Sequence, residues 1–231
     1  MTYILVDTAN TFFRARHVVR GDADIKIGMA FHITLNSIRK AWQDFDGSHV
    51  IFCLEGRSWR KDYYEPYKRN RSDARAALTA KEQEEDKLFW EAFDTFKEFV
   101  SDKTNCTVLQ NPQLEADDLI AGWIQNHPQS KHVIISTDSD FEQLIAPNVK
   151  QYNGVSEVTI THEGYFDAKG NKVKDKKTGE EKAAPNPEWL LFEKCMRGDT
   201  SDNVFSGYPG VRTKGTSKKV GLAEAFEDRK S

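Results

Sequence analysis

The stretch Tyr3-Ile4-Leu5-Val6-Asp7-Thr8-Ala9-Asn10 decides the fold. A short apolar run closed by one acid reads as a buried parallel strand with a carboxylate at its end. In open α/β sheets ligands bind in the crevice beyond the carboxyl ends of the strands, which makes Asp7 a candidate site residue. Taken alone, Asp7 also suits a cap or a turn. A second run, His49 to Leu54, closes on Glu55 in the same way. Between the two, residues 28 to 45 have helical spacing, with Met29, Ile33, Ile38, Trp42 and Phe45 as the expected apolar stripe. Strand, helix and strand form a βαβ unit and therefore a parallel pair.

Further elements follow the same logic. Thr79 and Glu82 match a capping box that opens a helix to about Val100, with Leu88, Phe89, Ala92, Phe93, Phe96 and Val100 as its apolar set. Cys106 to Leu109 reads as a third strand and Lys131 to Ser136 as a central one. Val149 to Tyr152 and Val155 to Ile160 read as strands at the sheet edge. Residues 163 to 187 are polar and lysine-rich, with turn signals at Lys169-Gly170-Asn171-Lys172 and Thr178-Gly179. They read as an exposed insertion with a solvated face.

Acids recur where these elements end. In Leu114-Glu115-Ala116-Asp117-Asp118-Leu119, three carboxylates open an apolar helix that runs to about Asn126. Within a first turn, Glu115 and Asp118 share a face and can converge on one cation, although the helix dipole also favours acids there. Asp138 and Asp140 follow the central strand; an Asx-turn capping a helix from Phe141 to Ile145 explains one of them but not both. Asp199 and Asp202 sit three residues apart in Gly198-Asp199-Thr200-Ser201-Asp202-Asn203, after a helix that begins at Pro187. Nine acids on one rim would repel severely unless divalent cations with oxygen ligands lie among them, and Mg²⁺ suits such a set. Two such ions would clamp the attacking and leaving oxygens of a phosphodiester.

The cations fit a polyanionic substrate. Net charge is −3, and setting those nine carboxylates aside leaves +6 on the rest of the 231 residues. Arg57, Arg60, Lys61, Lys68, Arg69, Arg71 and Arg75 are interleaved with Tyr63, Tyr64 and Tyr67, a mixture that holds single-stranded nucleic acid through stacking and charge. If helical, this segment places Lys68, Arg71 and Arg75 on one face. Gly207-Tyr208-Pro209-Gly210-Val211-Arg212-Thr213-Lys214-Gly215-Thr216 leads to a helix start at Lys218 and Lys219, where backbone N–H groups can meet a phosphate. In isolation it also reads as an ordinary helix-to-helix turn. No apolar run approaches the length of a membrane span, and the N-terminus has no basic flank or long apolar core. Three cysteines in apolar stretches predict buried thiols in a reducing compartment, and six scattered histidines form no zinc pattern.

Taken together, Val6-Asp7, Tyr67-Lys68-Arg69-Asn70-Arg71, Glu115-Ala116-Asp117-Asp118, Ser136-Thr137-Asp138-Ser139-Asp140, Gly198 to Asn203 and the Gly207-to-Lys214 turn resemble the 5' nuclease superfamily. The nearest resemblance is to bacteriophage flap endonucleases and 5'-3' exonucleases of the phage ribonuclease H type. It implies an α/β, PIN-like domain with a mostly parallel central sheet flanked by helices, over residues 1–162. A helical arch over about 57–100 would thread a 5' single strand, 163–187 would be an insertion, and 188–231 a C-terminal helix-turn-helix element, expected to be truncated. It further implies that Asp7, Glu115, Asp117 and Asp138 hold one Mg²⁺, with Asp140, Asp199 and Asp202 serving a second and Asp118 between them. Mn²⁺ would be a substitute. Lys68 would stabilise the scissile phosphate, and Tyr67, Arg69, Arg71 and Arg75 would meet the nucleic acid. Gly207, Gly210, Lys214, Lys218 and Lys219 would grip duplex phosphates, with K⁺ at the turn. Glu55 stands where relatives usually carry aspartate, and Arg212 where they prefer glycine. The implied protein is a monomeric, cytoplasmic phage enzyme of DNA replication that cuts DNA flaps or RNA primers beside a duplex. The alternatives are a PIN-type ribonuclease and a non-catalytic branched-DNA-binding protein.

Overall fold

The computed structural model describes residues 1–208, 210–216 and 220–229. In chain order the elements are β1 (Thr2–Asp7), α1 (Thr8–Phe13), α2 (Ala15–Val18), α3 (Ala23–Asp44), β2 (His49–Leu54), α4 (Arg60–Tyr63), α5 (Arg69–Ala76) and α6 (Ala80–Asp102). They continue with β3 (Thr107–Gln110), α7 (Ala116–Asn126), β4 (Lys131–Ile135), a 3₁₀ helix (Ser139–Leu144), β5 (Val149–Asn153), β6 (Val158–Thr161) and β7 (Gly164–Phe166). Last come α8 (Pro187–Arg197) and α9 (Leu222–Asp228). The chain forms two compact units: Met1–Trp59 with Thr79–Pro185, and Arg60–Leu78 with Asn186–Ser231.

The first unit holds a seven-stranded sheet in the order β3-β2-β1-β4-β5-β6-β7. β3 through β5 pair in parallel, and β6 and β7 add antiparallel at one edge. The predicted parallel pair is present, with Leu5 opposite Ile51 and Asp7 opposite Cys53. Strand alternation divides the core between two faces. Ile4, Val6, Phe52 and Leu54 face Phe12 of α1, Ala30 and Ala41 of α3, and Phe89, Phe93 and Phe96 of α6. Leu5, Ile51 and Ile134 face Ala116 and Ile120 of α7. Burying each of these large side chains contributes about 1.5 to 3 kcal/mol before chain entropy is set against it. α6 carries the predicted capping box between Thr79 and Glu82 and buries Phe89, Phe93, Phe96 and Val100.

Four expectations are corrected. Of the stripe expected on α3, Ile33, Ile38 and Phe45 pack partly buried against the core, whereas Met29 and Trp42 are 36% and 40% exposed, and the fully buried positions are Ala30, Thr34, Ser37 and Ala41. Small side chains let the helix approach its neighbours closely, and the large apolar residues flank that contact. The segment after β4 is a 3₁₀ helix that begins at Ser139, two residues before Phe141, because Asp138 caps it there. Gly164–Phe166, within the predicted insertion, forms the edge strand β7. Of the three cysteines only Cys53 is buried; Cys195 is exposed on the outer side of α8.

In the second unit, Asn186 caps α8 and Pro187 occupies its first turn. α8 and α9 meet through Trp189, Phe192 and Phe226, with ring centroids 5.2 to 6.2 Å apart. Gly198 ends α8 at φ +74°, where a Cβ would lie 2.3 Å from the Val204 carbonyl oxygen. Among the described residues no helix is long and apolar enough to cross a membrane.

Candidate active site

β1 delivers Asp7 to the carboxyl end of the parallel strands, and its side chain is only 3% exposed. Ser136 Oγ donates to Asp7 Oδ2 at 2.7 Å and accepts the Asp138 N–H at 3.0 Å, joining the rim of β1 to that of β4. Burial pushes the Asp7 carboxyl well above its ordinary pKa. The neighbouring Asp117 carboxylate pushes it further, Ser136 opposes the shift, and Glu55 and Asp138 add to it. Four of the predicted acids therefore share one electrostatic neighbourhood.

Glu115 is the N-cap of α7 rather than a first-turn residue, and it is buried. Ser58 Oγ donates to Glu115 Oε2 at 2.8 Å, and Asp118 Oδ2 accepts the Glu115 N–H at 3.0 Å. Capping and clustering thus use the same residues. Glu55 Oε2 accepts the Ala116 N–H at 3.2 Å, tying the end of β2 to the start of α7. The next residue, Gly56, packs so closely that a Cβ there would lie 2.0 Å from the Asn111 carbonyl oxygen and 2.7 Å from that of Leu114. Asp138 Oδ1 accepts the Asp140 N–H at 2.9 Å, which is the predicted Asx cap, and Asp140 is half-buried behind it.

Three contributors escaped the sequence reading. Gln151, 1% exposed on β5, donates from Nε2 to the Ser136 carbonyl at 3.1 Å and to the Asp138 carbonyl at 2.7 Å, while its Oε1 finds no partner among the described residues. Asn10 Oδ1 accepts the N–H and hydroxyl of Thr137 at 3.0 and 2.9 Å. Ser58 is the third. Ser136 and Thr137 lay inside a recognised motif; Gln151 had no signal beyond its place in a predicted strand.

In the second unit Asp202 is a hub. Arg71 reaches its Oδ1 at 2.5 Å, the Tyr67 hydroxyl donates to Oδ2 at 3.1 Å, and Lys68 Nζ lies 3.6 Å away. Lys68 precedes α5 instead of belonging to it. It sits in the left-handed region at φ 54°, with its N–H donating to the Asp202 carbonyl at 2.8 Å. The expected face of Lys68, Arg71 and Arg75 is therefore broken at its first member. Tyr67 is buried, and Tyr63, 85% exposed, is the outward ring of the segment. Arg69 pairs with Glu65 at 2.7 Å, and Arg69 and Arg75 are exposed. Partial burial opposes ionisation of Asp199, but the Lys194 ammonium at 2.6 Å and the Ser201 hydroxyl outweigh it and hold the carboxyl at about 2. Gly207 and Gly210 are exposed, the latter at φ +73°, and Lys214 is exposed. The Gly215 and Gly221 N–H groups are both donated to the Glu224 carboxylate, within 3.0 Å. Lys218 and Lys219 lie outside the described residues.

Among the described residues no three acid, imidazole or thiol side chains close around a common metal position. The donor chemistry of the first unit still fits a hard divalent cation, because its groups are all carboxylates and one, Asp7, resists ionisation among the others. The chain has relatives among known proteins. Bacteriophage T4 ribonuclease H is 29% identical over 87% of this chain, which spans 64% of that protein's length. A flap endonuclease Xni of Shewanella woodyi is 25% identical over 98% of the chain and 80% of its own length. These relatives come from a phage and from bacteria, so kinship does not assign a phage source. In fold, a bacteriophage T5 5'-exonuclease structure with bound zinc superposes with a TM-score of 0.71 at 19% identity, covering 100% of this chain and 75% of that one. A T5 flap endonuclease complex with DNA and metal ions gives 0.68 at 20% identity, covering 91% and 71%. The model of the 5'-3' exonuclease N-terminal resolvase-like domain matches residues 2–176, and the chain belongs to that nuclease family.

Proposed function

We propose that the chain is a divalent-metal-dependent, structure-specific 5' nuclease that hydrolyses phosphodiesters of single-stranded 5' flaps or ends beside a duplex. RNA primers paired to DNA are included among its substrates in replication. The observation that carries this reading is the buried Asp7 carboxyl crowded by Asp117, Glu55 and Asp138 at the carboxyl rim of a parallel sheet. Asp7, Glu115, Asp117 and Asp138 are the residues that would hold one Mg²⁺, with Asp118 and Asp140 as further carboxylates of the first unit; Asp199 and Asp202 are the acids that the second unit would offer. When bound, such ions neutralise phosphate charge and acidify a water.

The chain's own groups do the rest. Ser136 and Gln151 fix the turn that carries Asp138, and Ser58 orients Glu115. The Lys68 ammonium meets the negative charge that grows on the scissile phosphate. Tyr67, Arg69, Arg71 and Arg75 serve the single strand, while the Gly207 turn with Lys214, Lys218 and Lys219 serves duplex phosphates and takes K⁺.

Incubating the chain with a 5'-labelled flap duplex, with and without Mg²⁺, tests the reading on a denaturing gel. A metal-dependent oligonucleotide or mononucleotide product is expected, absent in Asp117→Asn and Asp138→Asn while both variants still bind DNA. Full activity in either variant would sink the assignment. Binding without product in the wild type would make the chain a non-catalytic DNA-binding relative.

A further inference from the structure

The lysine-rich segment after β7 is a built element rather than a loose loop. Val173 donates its N–H to the Tyr165 carbonyl and accepts that of Lys182, both at 2.8 Å, so residues 172–174 and 181–182 extend the sheet edge. Two carboxylates pin its turns. Asp167 accepts the N–H groups of Lys169 and Asn171 at 2.9 Å each, and Asp175 those of Lys177 and Thr178 at 2.7 and 3.1 Å. Those N–H groups, first Asn171's and first Lys177's respectively, hold the two carboxyls below their usual range. Asp167 and Asp175 are therefore turned onto the ribbon's own backbone, whereas Glu180 and Glu181 are exposed.

The lysine side chains are not turned onto that backbone. Val173 packs on the small core of Ile145, Ile160 and Tyr165, so alternation puts Lys172 and Lys174 on the opposite, outward face. Lys172 pairs with Glu181 at 3.0 Å in an exposed contact of the weak kind. Lys182 lies over the Tyr165 ring at 3.4 Å, and Lys174, Lys176 and Lys177 are exposed with no acidic partner among the described residues. The ribbon offers no exposed aromatic ring on which a base could stack, and no arginine to read a base edge.

We infer that this ribbon, residues 167–182, is a second phosphate-contacting surface, in the first unit, that binds the backbone of duplex nucleic acid without reading sequence. The inference rests on the nuclease reading and adds a duplex contact separate from the Gly207 turn. Point charges on a hydrogen-bonded ribbon, without stacking groups, suit regularly spaced duplex phosphates better than a flexible single strand.

The test is fluorescence anisotropy in EDTA, where no cutting occurs, with a labelled blunt duplex and a labelled single strand over a series of salt concentrations. The triple variant Lys174→Ser/Lys176→Ser/Lys177→Ser should lower the log affinity against log salt slope for the duplex by about 2 to 3, at roughly 0.9 per lost phosphate contact. Its single-strand slope should stay unchanged, and the corresponding triple Lys→Arg variant should restore the duplex slope. The inference is overturned by an unchanged duplex slope, by an equal loss on the single strand, or by a wild type that binds no duplex. Because this readout does not involve cutting, a wild type that fails to cleave flaps sinks the nuclease reading alone.

Discussion

Replacing Gln151 gives the sharpest test of how the Asp138 turn is held. The wild-type amide makes two hydrogen bonds to the Ser136 and Asp138 carbonyls, each contributing about 0.5 to 1.5 kcal/mol, so their joint loss costs about 1 to 3 kcal/mol. Oε1 is buried without a partner among the described residues, and removing such an atom recovers about 1 to 3 kcal/mol. Gln151→Met, nearly isosteric, should therefore change stability by no more than about 2 kcal/mol. Gln151→Glu keeps the shape but puts a buried negative charge against two carbonyl oxygens, at a cost of about 3 to 5 kcal/mol at neutral pH. That cost depends on pH with a definite sign. The introduced carboxyl has a folded-state pKa raised above its unfolded value of about 4.3, so its contribution is fully present below that value and is lost as pH rises toward the folded pKa. Urea unfolding followed by tryptophan fluorescence at pH 5 and pH 8 measures both effects. The Glu variant should approach the Met variant at the lower pH and fall well below it at the higher. Equal stability of the two at pH 8, or a loss of more than about 2 kcal/mol for Met, would refute the account.

Two further outcomes follow from the same kind of geometry. His132 is buried, its Nε2 bonded to the His127 carbonyl at 3.0 Å and its Nδ1 without a partner among the described residues, and burial lowers its pKa. The unfolded chain then binds a proton that the folded chain does not once pH falls below about 6.5, so stability should drop there by up to about 1.4 kcal/mol per pH unit. His132→Gln should flatten that part of a urea-midpoint curve between pH 7.5 and 5.5, and an unaltered curve would remove His132 as its cause. Gly56→Ala forces a methyl against the Asn111 and Leu114 carbonyls, and those backbone atoms cannot move aside as a side chain can. A loss of about 2 kcal/mol or more in thermal or urea unfolding is expected, with flap cutting reduced because the displaced loop leads into Glu115. A variant as stable and active as the wild type would show that the loop yields freely.

What could be read without coordinates was periodic or punctuated. Apolar runs closed by Asp7 and Glu55, the Thr79–Glu82 capping box and the α7 acids each state their local structure within a few residues. Period and chain reversal are local physics, and a parallel sheet with acids on its carboxyl rim follows from them. The expected stripe on α3 held in part: Ile33, Ile38 and Phe45 pack against the core, but pattern ranks residues by hydrophobicity, whereas the fully buried positions, Ala30, Thr34, Ser37 and Ala41, are small. Pattern was also silent on pairings between distant residues: Gln151 with the Asp138 turn, Ser58 with Glu115, and Asp202 with Tyr67, Lys68 and Arg71. The sequence by itself thus determined which residue types the rim carries, because strand and helix ends are local events. Only the tertiary structure decided which carboxyl is buried, which is crowded and which is already paired, because burial and charge coupling depend on atoms brought together from far apart in the chain.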